Sequence, residues 1–355
     1  GAAFPLTYYN GDPIDEVYAT NRANNEPLVE VTQAKGTSET HPLLSINDEW
    51  AAFEIPVEKE AKLLKNAKGS FVRNAYLRGL AFSEQGLTNP YKFGLSAASD
   101  THVAAGSYNE ENFFSKIGIL DGTPELRGSV PYNWLLAKTA KIFRPEAFAE
   151  INGKDYLAFS DRLIGFSASG LTGVWAEKNT REDIYDAFRK KETFATSGPR
   201  IKVRFFAGYE FGEAKLSDLD LVKNAYKNNL SMGSTINIEK GKKPKFLVWA
   251  TADSLGAPLQ RIQIIKGWLE NGKHKEKVFD VACSNGLMVN SSNFRCPDNG
   301  AKVNIETCDI TENSGSSELK NFWEDPDFLE DQEAFYYVRV LENPVCRWST
   351  WDSIR

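Results

Sequence analysis

No stretch of this 355-residue chain approaches the roughly 20 consecutive apolar residues of a membrane helix, so none is expected. A surplus of positive charge is also missing. The 42 Lys and Arg are outnumbered by 48 Asp and Glu, and a net charge of −6 leaves no electrostatic footprint for nucleic acid. Histidine is scarce: with only three in the chain, His102 beside Asp100 is not a matter of abundance. The four cysteines form no C-x-x-C pair, which removes zinc-ribbon spacing. Also lacking are G-x-G-x-x-G, a Walker loop, a G-x-S-x-G elbow and H-E-x-x-H, and with them the signatures of several common chemistries. The opening "GAAFPLTYYNGDP" has no basic region followed by an apolar core, so no signal peptide is visible. It reads as a mid-domain loop, as expected of a processed chain.

What is present is ordinary in bulk. Hydrophobic content of 41% and charged content of 25% are those of a globular protein, and the length suffices for two domains. Cys283, Cys296, Cys308 and Cys346 all fall in the last quarter. Two disulfides fit that distribution and imply a periplasmic or secreted protein; four buried thiols fit it too, and spacing does not reveal the pairing.

Along the chain, "EPLVEVTQAKG" reads as a buried strand over 28–32. "GSFVRNAYLRGLAFSEQG" (69–86) is an amphipathic helix with Gly86 suited to its C-cap, and "NPYKFGLSAASD" returns as a strand. Strand, helix and strand at this spacing predict a βαβ unit with a parallel sheet. Residues 104–166 show no clear periodicity and are expected to be an irregular excursion, such as a lid over the site. A helix capped by Asn179 or Thr180 follows. Beyond Pro199 the segments "RIKVRFFAG", "KFLVWATAD", "RIQIIKGWLENGKHKEKVFDVA" and "AFYYVRVLE" alternate, and Asn271-Gly272 signals a hairpin. The expected division is an α/β portion over 1–198 and an antiparallel, sandwich-like β domain over 199–355, which holds the four cysteines.

Three constellations carry chemistry. In "GLSAASDTHVAAGS", Asp100 and His102 leave a predicted strand end two residues apart and point the same way. That suits a pair of metal ligands, or a base with its orienting carboxylate; a histidine bonded to a loop aspartate is the plainer reading. The second cluster is Glu30, Gln33, Lys35, Glu39 and His41. Mixed carboxylate and imidazole ligands accept Mn, Zn or Fe, a spare carboxylate could be a general base, and Lys35 could meet an anionic substrate. A solvated loop in which Glu39 pairs with Lys35 explains it equally. The third is "TFATSGPRIK", where Arg200 and the hydroxyls of Thr196 and Ser197 suit phosphate or carboxylate, or serve only as a polar hinge.

"EPLVEVTQAKGTSETHPLLS", "NPYKFGLSAASDTH", "GVWAEKNTREDIYDAFRKKETFATSGPRI" and "EAFYYVRVLENPVCRWSTWDSIR" resemble, in the same order, a bacterial family of unassigned function. That family is distantly related to the PHP (polymerase and histidinol phosphatase) metal-dependent phosphoesterases. The resemblance implies a distorted TIM-like barrel with divalent metals at the carboxyl ends of its strands, and hydrolysis of a small phosphorylated substrate by metal-activated water. It implies metal ligation by Asp100, His102 and His41, catalytic roles for Glu30 and Glu39, and substrate contacts from Lys35, Gln33 and Arg200. The H-x-H pair that opens PHP barrels has no counterpart here, so the chain resembles the C-terminal part of such a protein. Two expectations follow: a metal-dependent hydrolase whose first half another chain supplies, or a non-catalytic binding or scaffold module.

Overall fold

In the computed structural model, residues 3–55, 67–104, 108–114, 116–157 and 170–355 are described. Helix α1 (Glu16–Asn25) begins where the Asp15 carboxylate accepts from the Tyr18 N–H. Strands β1 (Leu28–Gln33) and β2 (Gly36–Thr37) form a tight antiparallel turn. Helix α2 (Val72–Glu84) crosses to β3 (Gly94–Ala97), which pairs parallel to β1, with Leu28 opposite Gly94. The βαβ unit is therefore present. Its core joins Val31, Val72, Ala75, Phe82, Tyr91 and Phe93.

Of the 104–166 stretch, the described residues 104, 108–114 and 116–157 include regular elements that its lack of periodicity did not suggest, and the remainder lies outside the described residues. Helix α3 (Trp134–Phe143) is started by the Asn133 side chain, whose Oδ1 accepts from the Leu135 and Leu136 N–H groups. It leads into the hairpin β4 (Phe148–Ile151) and β5 (Lys154–Leu157). After residue 170, β6 (Leu171–Val174) pairs antiparallel with β7 (Thr193–Thr196), bracketing α4 (Arg181–Lys190) with its Thr180 cap.

The second half holds two antiparallel sheets. Strands β8 (Lys202–Gly208), β9 (Leu230–Ser231), β10 (Lys245–Thr251) and β13 (Glu318–Glu324) make one, in the order β13-β10-β8-β9. Between β8 and β9 lies α5 (Leu221–Asn228). The long strands β11 (Leu259–Glu270) and β12 (Lys273–Cys283) make the other with β14 (Ala334–Glu342), in the order β12-β11-β14. Asn271 and Gly272, with φ of 52° and 70°, supply the left-handed turn that the β11–β12 hairpin demands. The two sheets share a core that includes Phe246, Val248, Ile262, Ile264, Phe279 and Val281. Disulfides Cys283–Cys296 and Cys308–Cys346 tie down the loops, and the chain closes with α6 (Trp348–Ile354).

The expected TIM-like barrel is not found. Among the described residues the only parallel pairing is β1 with β3; every other sheet is antiparallel and small, and none closes. A TIM-like barrel repeats the parallel strand–helix unit around a closed ring, and here that unit occurs once. The β6–β7 ribbon packs beside β3 through side chains: the Thr172 hydroxyl bonds Ala97, and the Thr193 hydroxyl donates to the Leu95 carbonyl.

Helix α2 is covered on two sides, which explains why Arg73 and Asn74 are buried along with its apolar residues. One side meets the β1–β3 sheet. The other lies on β12-β11-β14, where Arg73 reaches Tyr337 and Glu276. Strand β11 is accordingly buried on both faces. Period-two alternation along β14 sorts its residues: Tyr336, Val338 and Val340 turn to the core between the sheets, while Tyr337 and Arg339 turn to the first half of the chain.

Candidate functional site

Three places gather charged side chains, and the residues singled out from the sequence are divided among them. The first is the carboxyl end of β1 and β3. Asp100, at φ 50°, turns its carboxylate toward two ammonium groups: it pairs with Lys35, and the Lys116 Nζ lies 2.6 Å from its Oδ2. Its slight burial would raise the pKa, but hydrogen bonds from Lys116 and Lys35 bring it down to about 2. His102 Nε2 stands 3.7 Å from Asp100 Oδ1 and is largely exposed. On β1 the Gln33 amide donates to Glu30 Oε1 at 2.9 Å.

This donor set was tested against a divalent metal and does not fit. Asp100 is already paired with two ammonium groups, and His102 is the one imidazole beside it. His41 lies elsewhere: it is 2% exposed, its ring is tilted against Phe71, and its Nδ1 accepts from the Leu43 N–H at 3.2 Å. Among the described residues no group of three or more His, Cys, Asp or Glu could hold a metal ion. A metal-activated water normally sits on three protein ligands.

Glu39 is in the second place, a buried network that joins the two halves. Its Oε1 accepts from Arg73 Nη2 at 2.8 Å, Arg339 Nη2 at 2.7 Å and the Tyr337 hydroxyl at 2.6 Å. Asp48, fully buried, takes Arg339 as a fork, with Nη1 at 2.9 Å and Nη2 at 2.6 Å, and Arg73 at 2.7 Å. Burial would push Glu39 up, yet the Arg339 and Arg73 guanidiniums hold it at about 2. The same balance leaves Asp48 far below the usual carboxylate range. Saturated by cationic donors, Glu39 is a poor proton acceptor and a good strut. The pairing of Glu39 with Lys35 is not formed; Lys35 goes to Asp100 instead.

The third place is the cleft between the two halves, with a volume of about 1110 Å³. Its walls come from α2, β3, β7, β8 and β14, and Glu39 and Arg200 both face it. Arg200 is exposed, with its guanidinium over the Tyr108 ring 4.6 Å from the centroid and a hydrogen bond to the Tyr108 hydroxyl. Its backbone N–H donates to Asp253 Oδ2 at 2.7 Å, and its side chain has no ion pair among the described residues. Glu342, at the end of β14, faces the same cleft. Its Oε2 is buried without a hydrogen-bond partner among the described residues. Burial first, then the negative charges of Asp253 and Glu110, push its carboxyl up to about 7. Arg347 pairs with Glu54 at 2.7 Å and Glu110 at 3.2 Å, on the same rim.

Sequence reading did not reach Glu342, Lys116 or the Arg73–Arg339 pair. One signal for Glu342 was there. It shares its parity along β14 with Tyr336, Val338 and Val340, so an acidic residue stands on the inward-facing side of a strand. Lys116 and Arg339 gave no signal, since their partners lie 16 and 300 positions away.

The whole chain, residues 1–355, matches the family described as "Protein of unknown function (DUF3604)". The chain belongs to that family. No curated protein and no solved structure matches it. Two disulfides, and the lack among the described residues of any helix long and apolar enough to cross a membrane, are compatible with an extracellular or periplasmic location of this DUF3604 member.

Proposed function

We propose that this chain binds a small anionic ligand, phosphorylated or carboxylated, in the cleft between its halves, and that Glu342 exchanges a proton with it. The observation that carries the reading is Glu342 itself: a buried carboxyl oxygen without a partner, protonated up to about pH 7, in a cleft of about 1110 Å³. Arg200 supplies the matching cation. Stacked on Tyr108 and unpaired by any carboxylate among the described residues, it presents donors in a fixed fork to an anion. Glu39 contributes rigidity through its two arginines, so that the wall carrying β14 holds its position.

Titration calorimetry with inorganic phosphate and a panel of phosphate monoesters tests this reading. Removing the charge-assisted contact in Arg200→Met should weaken binding by roughly ten- to a hundredfold. Glu342→Gln should abolish the change in affinity across pH 7. Binding that neither substitution alters would overturn it.

A second reading, metal-dependent hydrolysis of a phosphate ester, rests on the Asp100–His102 pair at the strand ends, which the described residues do not complete into a metal site. It needs donors beyond those two. Stoichiometric Mn, Zn or Fe in the purified chain, lost in Asp100→Ala, would favour it over the first.

A further inference from the structure

Helix α3 is built inside out. At 3.6 residues per turn, Leu135 and Ile142 stack in one row and Leu136 and Phe143 in the next, with Thr139 between them. This is the broad apolar stripe that a surface helix normally turns inward. Here the buried residue is Ala137, on the opposite side. Trp134 is 71% exposed, Leu135 and Leu136 55% each, Ile142 74% and Phe143 83%. The helix is held in that orientation by its Asn133 cap, by a Lys141–Asp155 ion pair and by the Tyr132 N–H bonded to the Asp155 carbonyl at 2.7 Å.

Charge around the stripe selects the occupant. Lys138 and Arg144 are exposed, and no acidic residue lies between Trp134 and Arg144, although the chain as a whole carries −6. A second copy of the same face would bring those cations onto each other, which disfavours an isologous pair. Leu, Ile and Phe on one side, with an exposed Trp134 at the helix start and Lys138 and Arg144 flanking the stripe, are what an interfacial helix presents to a lipid surface.

We propose that helix α3 docks on an anionic phospholipid bilayer, with Phe143, Ile142 and Leu135 entering the headgroup boundary and Lys138 and Arg144 meeting lipid phosphates. The helix lies along the surface and does not span the membrane: its ten residues are about half the length a span requires. This inference does not depend on the cleft. It gives the 104–166 excursion a role in holding the protein against a membrane.

Co-sedimentation of the full chain with vesicles tests it, using phosphatidylglycerol/phosphatidylethanolamine against pure phosphatidylcholine. The wild-type chain should pellet with the anionic vesicles and much less with the neutral ones. Phe143→Asp with Ile142→Asp should abolish pelleting while leaving the unfolding midpoint unchanged, since both side chains are exposed. Lys138→Glu with Arg144→Glu should weaken binding to anionic vesicles by about fivefold or more, and raised salt should mimic it. No pelleting of the wild-type chain would overturn the proposal. So would equal pelleting of the Phe143/Ile142 variant, or a wild-type dimer in sedimentation velocity that this variant dissociates.

Discussion

Two glutamates face the same cleft and have been driven in opposite directions. Glu39, on the side of the first half, meets two guanidiniums and a phenol and stays ionised down to about pH 2. Glu342, on the side of the second, meets Asp253 and Glu110 and keeps its proton to about pH 7. Burial pushes both upward, so burial is not what separates them. The sign of the neighbouring charge decides, and it decides the role: a saturated strut on one side, a proton carrier on the other.

Removing the arginines from the first glutamate is the harshest way to break this contrast. Arg73→Ala removes one of the two guanidiniums that Glu39 and Asp48 share and leaves Glu276 without its arginine. It should lower stability by about 3–5 kcal/mol, read as a fall in the urea midpoint at pH 7; a midpoint within error of wild type would show that the network contributes nothing. Glu39→Gln is milder, at on the order of 2–3 kcal/mol near neutral pH. Because the folded value lies below the unfolded 4.5, the stability Glu39 contributes is present above that pH and is lost as pH falls toward 2. The variant should therefore show a flatter acid limb, and an unchanged acid limb would remove Glu39 from the account.

Glu342→Gln should act with the opposite sign. Its folded value is raised from 4.5 to about 7, so the stability that the Glu342 proton contributes is fully present below 4.5 and is lost as pH rises to about 7. The amide should remove that decline and make the protein more stable at pH 8, by on the order of 2 kcal/mol. Smallest of all is Arg200→Met: exposed and without an ion pair among the described residues, it should shift stability by less than about 0.5 kcal/mol while weakening anion binding. A large loss of stability would make Arg200 a structural residue.

Much of the local structure was legible in the sequence. The period-two runs gave β8, β10, β11, β12 and β14, and Asn271-Gly272 gave the tight turn. The 3.6 period gave α2 and α4, with Thr180 as a cap. The closed barrel was expected from the family resemblance and not from any pattern in the residues; one strand–helix–strand unit is present, whereas β4–β5 and β6–β7 turn back as antiparallel ribbons. Helix α3 escaped notice because Ala137, opposite its apolar stripe, and Ala140 interrupt the side that Lys138 and Lys141 occupy, so that no continuous polar face marks the period. Within the candidate site, Asp100 and His102 lie 3.7 Å apart, whereas Lys35, expected to meet an anionic substrate or Glu39, pairs with Asp100. The charge on Glu39 and Glu342 could not be foreseen, because it is set by Arg339 and Arg73 against burial for one, and by burial with Asp253 and Glu110 for the other. Those are contacts of tertiary structure, invisible to any local pattern.

The most direct test of the contrast is the urea midpoint of the wild-type chain and of Glu342→Gln, measured side by side from pH 5 to pH 8. The account predicts that the variant gains on the wild type as pH rises, with the gap levelling off above about 7. Parallel curves over that range would mean that Glu342 titrates as an ordinary glutamate, and the proton carrier in the cleft would have to be given up.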